Sequence, residues 1–495
     1  MTPISHGADW DFDLLERYDT AIARVAGEYG LDTYPNQIEI ITWEQMLDAY
    51  ATCGLPIGYP HWSYGKEFIR NEQAYRRGMQ GLAYEIVINS NPCIAYLMEE
   101  NTMATQALVM AHACYGHNSF FKGNHLFQQW TAPDAILDYL VFARRYVMES
   151  EERHGAVAVE EVLDACHALM PHGVDRYRRP PARTLKAETK RLTEREAHRE
   201  RHFNDLWRTV PESSSKPATD STECFPAEPQ ENILYFVEKH SPKLEPWQRE
   251  LVRIVRKLAQ YLYPQAQTKV MNEGWATFWH YTILNRLHEQ GLVDDGFMLE
   301  FLKSHTNVVS QPAYDSHVYS GLNPYALGFA LFADLRRICK TPDAEDRAWF
   351  PELAGSDWVA TLDFAMRNFK DESFIAQYLS PRLIREFHLF AVADHTNEET
   401  LMVDSIHDDH GYRRVRKLLA QQHAQEICVP DVQVVRFERD GDRSLTLRHL
   451  RRRGRPLTEA AAKVVEHLRR LWGFAVRLET WENDARVGDV VECPG

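Results

Sequence analysis

The stretch Met271-Asn272-Glu273-Gly274-Trp275-Ala276-Thr277-Phe278-Trp279-His280 constrains this chain more than any other. It sets a carboxylate and an imidazole seven residues apart among bulky rings, Trp275, Phe278, Trp279 and Tyr281. At roughly 100° per residue, seven steps return to within about 20° of the start, so Glu273 and His280 share one helical face. A Glu and a His held among aromatics are either a hydrogen-bonded core pair or part of a metal or acid/base site. Gly274, beside Glu273, permits close approach by another backbone or a ligand.

A chain of 495 residues, 44% hydrophobic and 11% aromatic, has ample material for a large core and predicts two or three domains. Its 56 basic and 71 acidic residues leave a net charge of −15. That balance excludes a general nucleic-acid binder and disfavours anionic membrane surfaces. The N-terminal residues show no basic n-region followed by an apolar run, so no secretory signal is expected. No uncharged apolar run of about 18 residues is present, so membrane insertion is not expected. The eight cysteines are scattered without Cys-x-x-Cys. That pattern fits reduced thiols and a cytoplasmic location rather than a disulfide framework.

Periodicity predicts a predominantly α-helical, α+β fold. Helices are expected over 10–30, 67–80, 102–115, 133–153, 247–261, 268–290 and 324–340. The helix from Thr102 is expected to end near Gly116. Tyr84 to Asn89 reads as a strand ended by Asn91-Pro92. The division expected is an N-terminal, mostly helical half over 1–209, a Pro/Ser-rich linker over 210–230, and the second half of the helical core over 231–425. A small α+β module over 430–485 follows, with strands near 432–437, 444–449 and 475–479 and a helix over 457–471. Residues 183–207 are densely charged and read as a solvated helix laced with ion pairs.

A second polar cluster is His112-Ala113-Cys114-Tyr115-Gly116-His117. Five residues on a regular α-helix separate two side chains by roughly 140°, so these imidazoles converge only if the helix ends or bulges at Gly116. Glu99-Glu100 precede that helix, and Glu151 and His154 stand in Glu-x-x-His spacing, which either recurs in carboxylate-bridged metal bundles or is a charged helix end. His61 to Lys66 is a substrate loop or an aromatic packing loop. Asn323-Pro324-Tyr325 reads as a helix start, Asp371 to Phe374 as a capped turn, and His407 to His410 as a metal-binding or merely exposed loop. No phosphate loop, nucleophile elbow or dinucleotide fingerprint is present.

Taken together, several of these motifs resemble the SpoVR family, the stage V sporulation protein R-like proteins. They are His61-Trp62-Ser63-Tyr64-Gly65-Lys66, Glu85 to Pro92, His112 to His117 with Phe120-Phe121-Lys122, Glu151-Glu152-Arg153-His154-Gly155, Met271 to His280, and Asn323 to Gly328. The resemblance runs from about residue 10 to 480. It implies a link to the spore cortex, a peptidoglycan layer, or to stationary-phase stress physiology. It also implies as partners a PrkA-like serine protein kinase and a von Willebrand-type protein. It carries no catalytic residue set.

A fainter resemblance is to the helix pair of gluzincin metallopeptidases, in which two His on one helix and a Glu on the next hold zinc. His112, His117 and Glu273 take those places, with His280 as a fourth ligand or an outer partner. Ala113 stands where such enzymes have their general base, and the His spacing is one residue longer. The reading is a metal-dependent hydrolase, amidase- or peptidase-like, using Zn²⁺ or another divalent transition metal, with Glu100 or Glu152 as base. The alternative is a non-catalytic regulator or scaffold that docks the kinase and its partner, with 183–207 as an interaction arm and Thr189, Thr193 and Ser213 to Ser215 as phosphorylation targets.

Overall fold

The computed structural model describes residues 3–52, 55–76, 85–176, 190–191, 193–194, 197–198, 225–393, 402–405, 408–424, 429–452, 456–482, 485–488 and 490–494. The fold is predominantly helical, α+β. Most of 183–207 and the 210–224 part of the expected linker, with Thr189 and Ser213 to Ser215, lie outside the described residues. Among the described residues no helix is long and apolar enough to cross a membrane.

The chain forms two compact units, and neither is one of the contiguous halves read from composition. One unit comprises residues 1–148 and 261–425, the other 149–260 and 426–495. Long-range packing, which composition does not record, decides which segments share a core.

In the first unit, α1 (Phe12–Glu28) is capped by Asp11, whose carboxylate accepts from the Leu14 N–H. It buries Leu15, Tyr18, Ile22 and Val25 in the main core. A three-stranded sheet follows, built of β1 (Asn36–Ile41), β2 (Glu85–Ile88) and β3 (Cys93–Met98) in the order β1-β3-β2. β3 runs parallel to β1 and antiparallel to β2. Along β2, Ile86 packs into a small cluster with Met46, Ala49 and Met98, whereas Val87 packs against the main core. Alternation therefore turns Glu85 toward the main core as well.

The helical run that starts at α2 (Met103–Met110) does not stop at Gly116. It passes through a π-helix (Ala111–His117) into α3 (Asn118–Gly123). All seven π-helical residues are buried. The Ser119 hydroxyl donates to the Gly116 carbonyl at 2.9 Å and accepts from the Trp275 indole N–H at 2.9 Å. Asn118 ties the far end to β1, accepting from the Tyr34 N–H and donating to the Tyr34 carbonyl and Asn36 Oδ1.

The aromatic helix, α4 (Lys269–Glu289), runs through the centre of the unit between the π-helix and α6 (Pro324–Lys340), with α5 (Asp295–Val308) also against it. Glycines set both close approaches. A Cβ on Gly116 would lie 2.5 Å from Ala276 Cα, and one on Gly274 would lie 2.3 Å from the Gly328 carbonyl carbon. The N-terminus of α4 has no side-chain cap of its own. Asp371, at the start of α7 (Asp371–Tyr378), supplies it by accepting from the Val270 and Met271 N–H groups at 2.8 Å each. The expected turn at Asp371 is thus a helix start, and its carboxylate serves a different helix. Asn323 caps α6 and Pro324 opens it, as the sequence reads. A short antiparallel pair, β4 (Ala391–Ala393) and β5 (Met402–Ser405), also belongs to this unit.

The second unit contains the C-terminal module. β6 (Asp431–Phe437) and β7 (Leu445–Leu450) form an antiparallel pair, and β8 (Val476–Glu482) joins β7 in parallel after the helix Ala461–Trp472. β9 (Ala485–Arg486) and β10 (Val491–Cys493) complete the sheet beyond the expected boundary at 485. The two strands near 432 and 444, the helix and the third strand lie where the alternating pattern places them.

The close approaches predict opposite outcomes for one chemical change. Gly274→Ala forces a methyl group into the Gly328 backbone and should lower stability by about 1–3 kcal/mol or more. Gly65→Ala sits in the helix Trp62–Arg76 with nothing within 4 Å of the added carbon. It should raise stability by about 0.5–1 kcal/mol. Urea midpoints of the two variants check both signs.

Candidate metal centre

The π-helix solves the spacing problem that the two histidines pose. Hydrogen bonding from i to i+5 widens the turn, so residues five apart come far closer to a common face than on a regular α-helix. His112 and His117 accordingly sit with ring centroids 4.6 Å apart and planes at 88°. The bulge runs through Gly116 as a whole turn of π-helix, with no break in the helix.

Glu273 reaches this pair from α4. Its Oε2 lies 3.5 Å from His117 Nε2 and 3.8 Å from His112 Nε2. Glu85 reaches it from β2, with Oε1 3.5 Å from His112 Nε2. Among the described residues, ligand atoms of Glu85, His112 and His117 all lie within 4.8 Å of one another. The two carboxylates flank His112 and form the open edge of the cluster, their side chains 16% and 17% exposed against 3% for His112. His112 Nε2 and Glu273 Oε2 are buried with no hydrogen-bond partner.

Each His is held from behind. His117 Nδ1 lies 2.9 Å from Asn272 Oδ1; an amide oxygen only accepts, so Nδ1 carries the proton and Nε2 presents its lone pair to the cluster. His112 Nδ1 lies 2.9 Å from His280 Nδ1, and His280 Nε2 lies 2.9 Å from His305 Nδ1 on α5. Both nitrogens of His280 are therefore engaged. Of the two places expected for His280, fourth ligand or outer partner, these hydrogen bonds fit the second, behind the His112 ring. Tyr325, at the first turn of α6, lays its ring near His112, 6.4 Å between centroids, with its hydroxyl toward Glu273.

The electrostatics separate the two carboxylates. Burial pushes the Glu273 carboxyl up, but His117, His112 and Tyr325 outweigh burial and hold it below its ordinary value. Burial pushes Glu85 up; His112 opposes this, but Glu273 adds to the rise, and the net direction is upward. Burial pulls the His112 imidazole down, and the carboxylates of Glu273 and Glu85 more than reverse it. Burial takes His117 down to about 4 and His280 well below its ordinary value. His305 is likewise taken down by burial to about 4.

Glu100 and Glu152 are not part of this cluster. Glu100 is exposed at the end of β3, where its carboxylate accepts from the Trp43 N–H. Glu152 is exposed on the helix Ile136–His154 and belongs to the second unit. Both stand near His-bearing segments in sequence only, and the carboxylate close to His112 in space is that of Glu85. The Glu-x-x-His pair dissolves for a related reason: His154 stacks on Trp247 at 4.2 Å, and Glu149 pairs with Arg153 along the helix surface. Asp408 caps the helix Asp409–Gln422, and His407 lies outside the described residues. Glu85, Asn272, Tyr325 and His305 are the participants that sequence reading missed. For Glu85 the signal was a lone carboxylate in the otherwise apolar strand Glu85-Ile86-Val87-Ile88.

The spacing of the cluster has chemical meaning. Separations of 3.5–3.8 Å exceed a normal hydrogen bond. They match the edge of a coordination tetrahedron with bonds of about 2.1 Å, which is about 3.4 Å. Two imidazoles whose Nε2 atoms face the cluster and a carboxylate held below its ordinary value are a donor set suited to a divalent transition ion.

Comparison with known proteins places this site in a recognisable sequence context. Residues 9–427 match the family described as SpoVR like protein, and residues 430–483 match the SpoVR-like C-terminal domain. The chain is 57% identical over 493 residues to the uncharacterized protein YcgB of Escherichia coli (strain K12), across 100% of this chain and 97% of that one. No solved structure matches.

The depressed imidazoles predict an acid-sensitive metal-free protein. An unfolded His takes up a proton near pH 6.5, whereas folded His117 and His305 do so only near 4. Between those values the unfolded state binds more protons at these two positions, so their contribution is full above about pH 6.5 and falls as pH drops toward 4, while the raised His112 works in the opposite sense. Each group contributes a slope of up to about 1.4 kcal/mol per pH unit. In chelator-treated protein, urea midpoints from pH 7 to 4.5 should show that decline. His305→Gln should shallow it, whatever the substitution costs at pH 8.

Proposed function

The chain belongs to the SpoVR family, and for it we propose a metal-dependent hydrolase that cleaves an amide-type bond. The observation that carries this reading is the convergence of His112 and His117 Nε2 with the Glu85 and Glu273 carboxylates at 3.5–3.8 Å, with His112 Nε2 and Glu273 Oε2 buried and unpartnered.

His112, His117 and Glu273 would hold the ion, and Zn²⁺ or a related divalent ion would supply Lewis-acid activation of a water and of the substrate carbonyl. Glu273 suits a ligand because its neighbours keep it ionised. Glu85 suits the general base because its carboxyl is raised toward the range in which it can take and return a proton. Two carboxylates whose surroundings push their proton affinities apart divide the roles of acid/base and fixed charge. Glu85 thus supplies from a strand what Ala113 cannot supply from the helix. Asn272 orients His117, and the Tyr325 hydroxyl, turned toward Glu273, is placed to donate to a developing oxyanion. The family's connection with the spore cortex makes a peptide-bearing peptidoglycan fragment the first substrate class to assay.

The test separates ligand from base. Protein purified without a metal-affinity column should carry about one transition metal per chain by elemental analysis. His112→Ala with Glu273→Ala should carry almost none while keeping its helical circular dichroism. Glu85→Gln should keep the metal and lose at least about 100-fold in hydrolysis of muropeptide amides. Folded wild type that neither contains metal nor takes up added Zn²⁺ would overturn the reading. Metal uptake together with a fully active Glu85→Gln would remove Glu85 from the chemistry.

A further inference from the structure

The three imidazoles behind the cluster form a line whose hydrogen-bond direction is determined by the atoms at its two ends. His112 Nδ1 faces His280 Nδ1, and His280 Nε2 faces His305 Nδ1, each at 2.9 Å. A nitrogen–nitrogen hydrogen bond contains one proton, so neutral imidazoles in this line can be arranged only in two ways. Either every ring donates outward from His112 to His305, or every ring donates inward.

The inward arrangement puts a proton on His112 Nε2. That atom is buried, and its nearest carboxylate oxygens stand at 3.5 and 3.8 Å, too far to accept it well. An orphaned buried donor is less readily tolerated than an acceptor with an unmet lone pair. The outward arrangement leaves His112 Nε2 bare and moves the terminal N–H to His305 Nε2. His305 is 5% exposed, while His280 is wholly buried, so the last donor lies at the member of the line with residual access to water.

We propose that His280 and His305 are positioning residues which hold His112 in the tautomer protonated at Nδ1, with its Nε2 lone pair directed into the cluster. His280 donates from Nε2 and accepts at Nδ1, and His305 accepts at Nδ1 and donates from Nε2. This deepens the metal reading above and rests on it for its purpose. Asn272 does the same for His117 with a single amide. His112 needs two further rings because the neighbouring position on α4 is itself a histidine, which accepts from one side only if it donates on the other.

The experiment uses the full chain labelled with nitrogen-15 histidine, metal-free, with signals assigned by their loss in His280→Gln and His305→Gln. Long-range proton–nitrogen spectra should show His305 protonated at Nε2 and bare at Nδ1. His305 protonated at Nδ1 would overturn the proposal. In parallel, Zn²⁺ affinity is measured for two variants. His305→Phe removes the acceptor and should weaken Zn²⁺ binding by about 10- to 100-fold. His305→Asn offers Oδ1 near the site of Nδ1 and should restore most of it. Equal affinity in wild type and His305→Phe would also overturn the proposal. Wild type that binds no Zn²⁺ would defeat the hydrolase reading alone, and the nitrogen spectra would still decide this one.

Discussion

The contact on which the first unit depends is backbone against backbone. Gly274 meets Gly328, and Gly116 meets Ala276, with no room at any of these points for a further carbon. These contacts draw α4 into the space between α6 and the π-helix until side chains on three elements converge on one small volume. Glu273 and Asn272 come with α4, Tyr325 with α6, and His112 and His117 with the π-helix. The aromatic residues of α4 then fill what the glycines leave. Trp275 and Trp279 lie edge to face, 5.5 Å apart, and Trp275 packs similarly on Phe332 of α6. The rigidity such packing gives is what a polar cluster needs, because its atoms are held at coordination distance rather than allowed to relax into ordinary hydrogen bonds.

The likeness to gluzincin peptidases extends to His112, His117 and Glu273 as candidate donors and stops at Ala113; the carboxylate nearest His112 Nε2, that of Glu85, comes from another part of the fold. A helix with four-residue His spacing can carry its own carboxylate next to the first ligand. Widening the turn to five places the pair correctly but leaves only the apolar Ala113 at the adjacent position, buried in the core. The carboxylate arrives instead on β2, whose alternation turns Glu85 and Val87 to the side where the π-helix lies. Fold and chemistry are joined here by a single residue of register: a slip of one along β2 would send Glu85 to the Met46 cluster and bring Ile86 to the histidines.

Much of this was legible in the residues themselves. Period and capping signals locate the long helices, and strict alternation locates the C-terminal strands, because those patterns are local. His112, His117 and Glu273 could be singled out because imidazoles and carboxylates are rare within aromatic, apolar helices. The π-helix was not legible, since the i to i+5 pattern is stabilised by tertiary contacts at Gly116 and Ser119 rather than by any local preference. Glu85 was passed over because a strand read by itself does not reveal which helix its two faces meet. Glu100 and Glu152 were favoured for their proximity in sequence to the histidines, and that measure carries no information across a chain reversal. The two-unit division was hidden for the same reason: residues 1–148 and 261–425 belong together through packing of α4 on the π-helix, which no composition boundary records.

Because the second unit interrupts the first, the halves of the histidine cluster leave the ribosome at very different times. His117 and its hydrogen-bond partner Asn272 are 155 residues apart. At about 5–20 residues per second, the π-helical segment waits roughly 8–30 s for the helix that covers it. During that interval a run of apolar residues, two imidazoles and the Cys114 thiol lack the packing that buries them in the finished fold. Residues that are buried in the finished fold thus stay uncovered by α4 while segments that do not touch the site are being made.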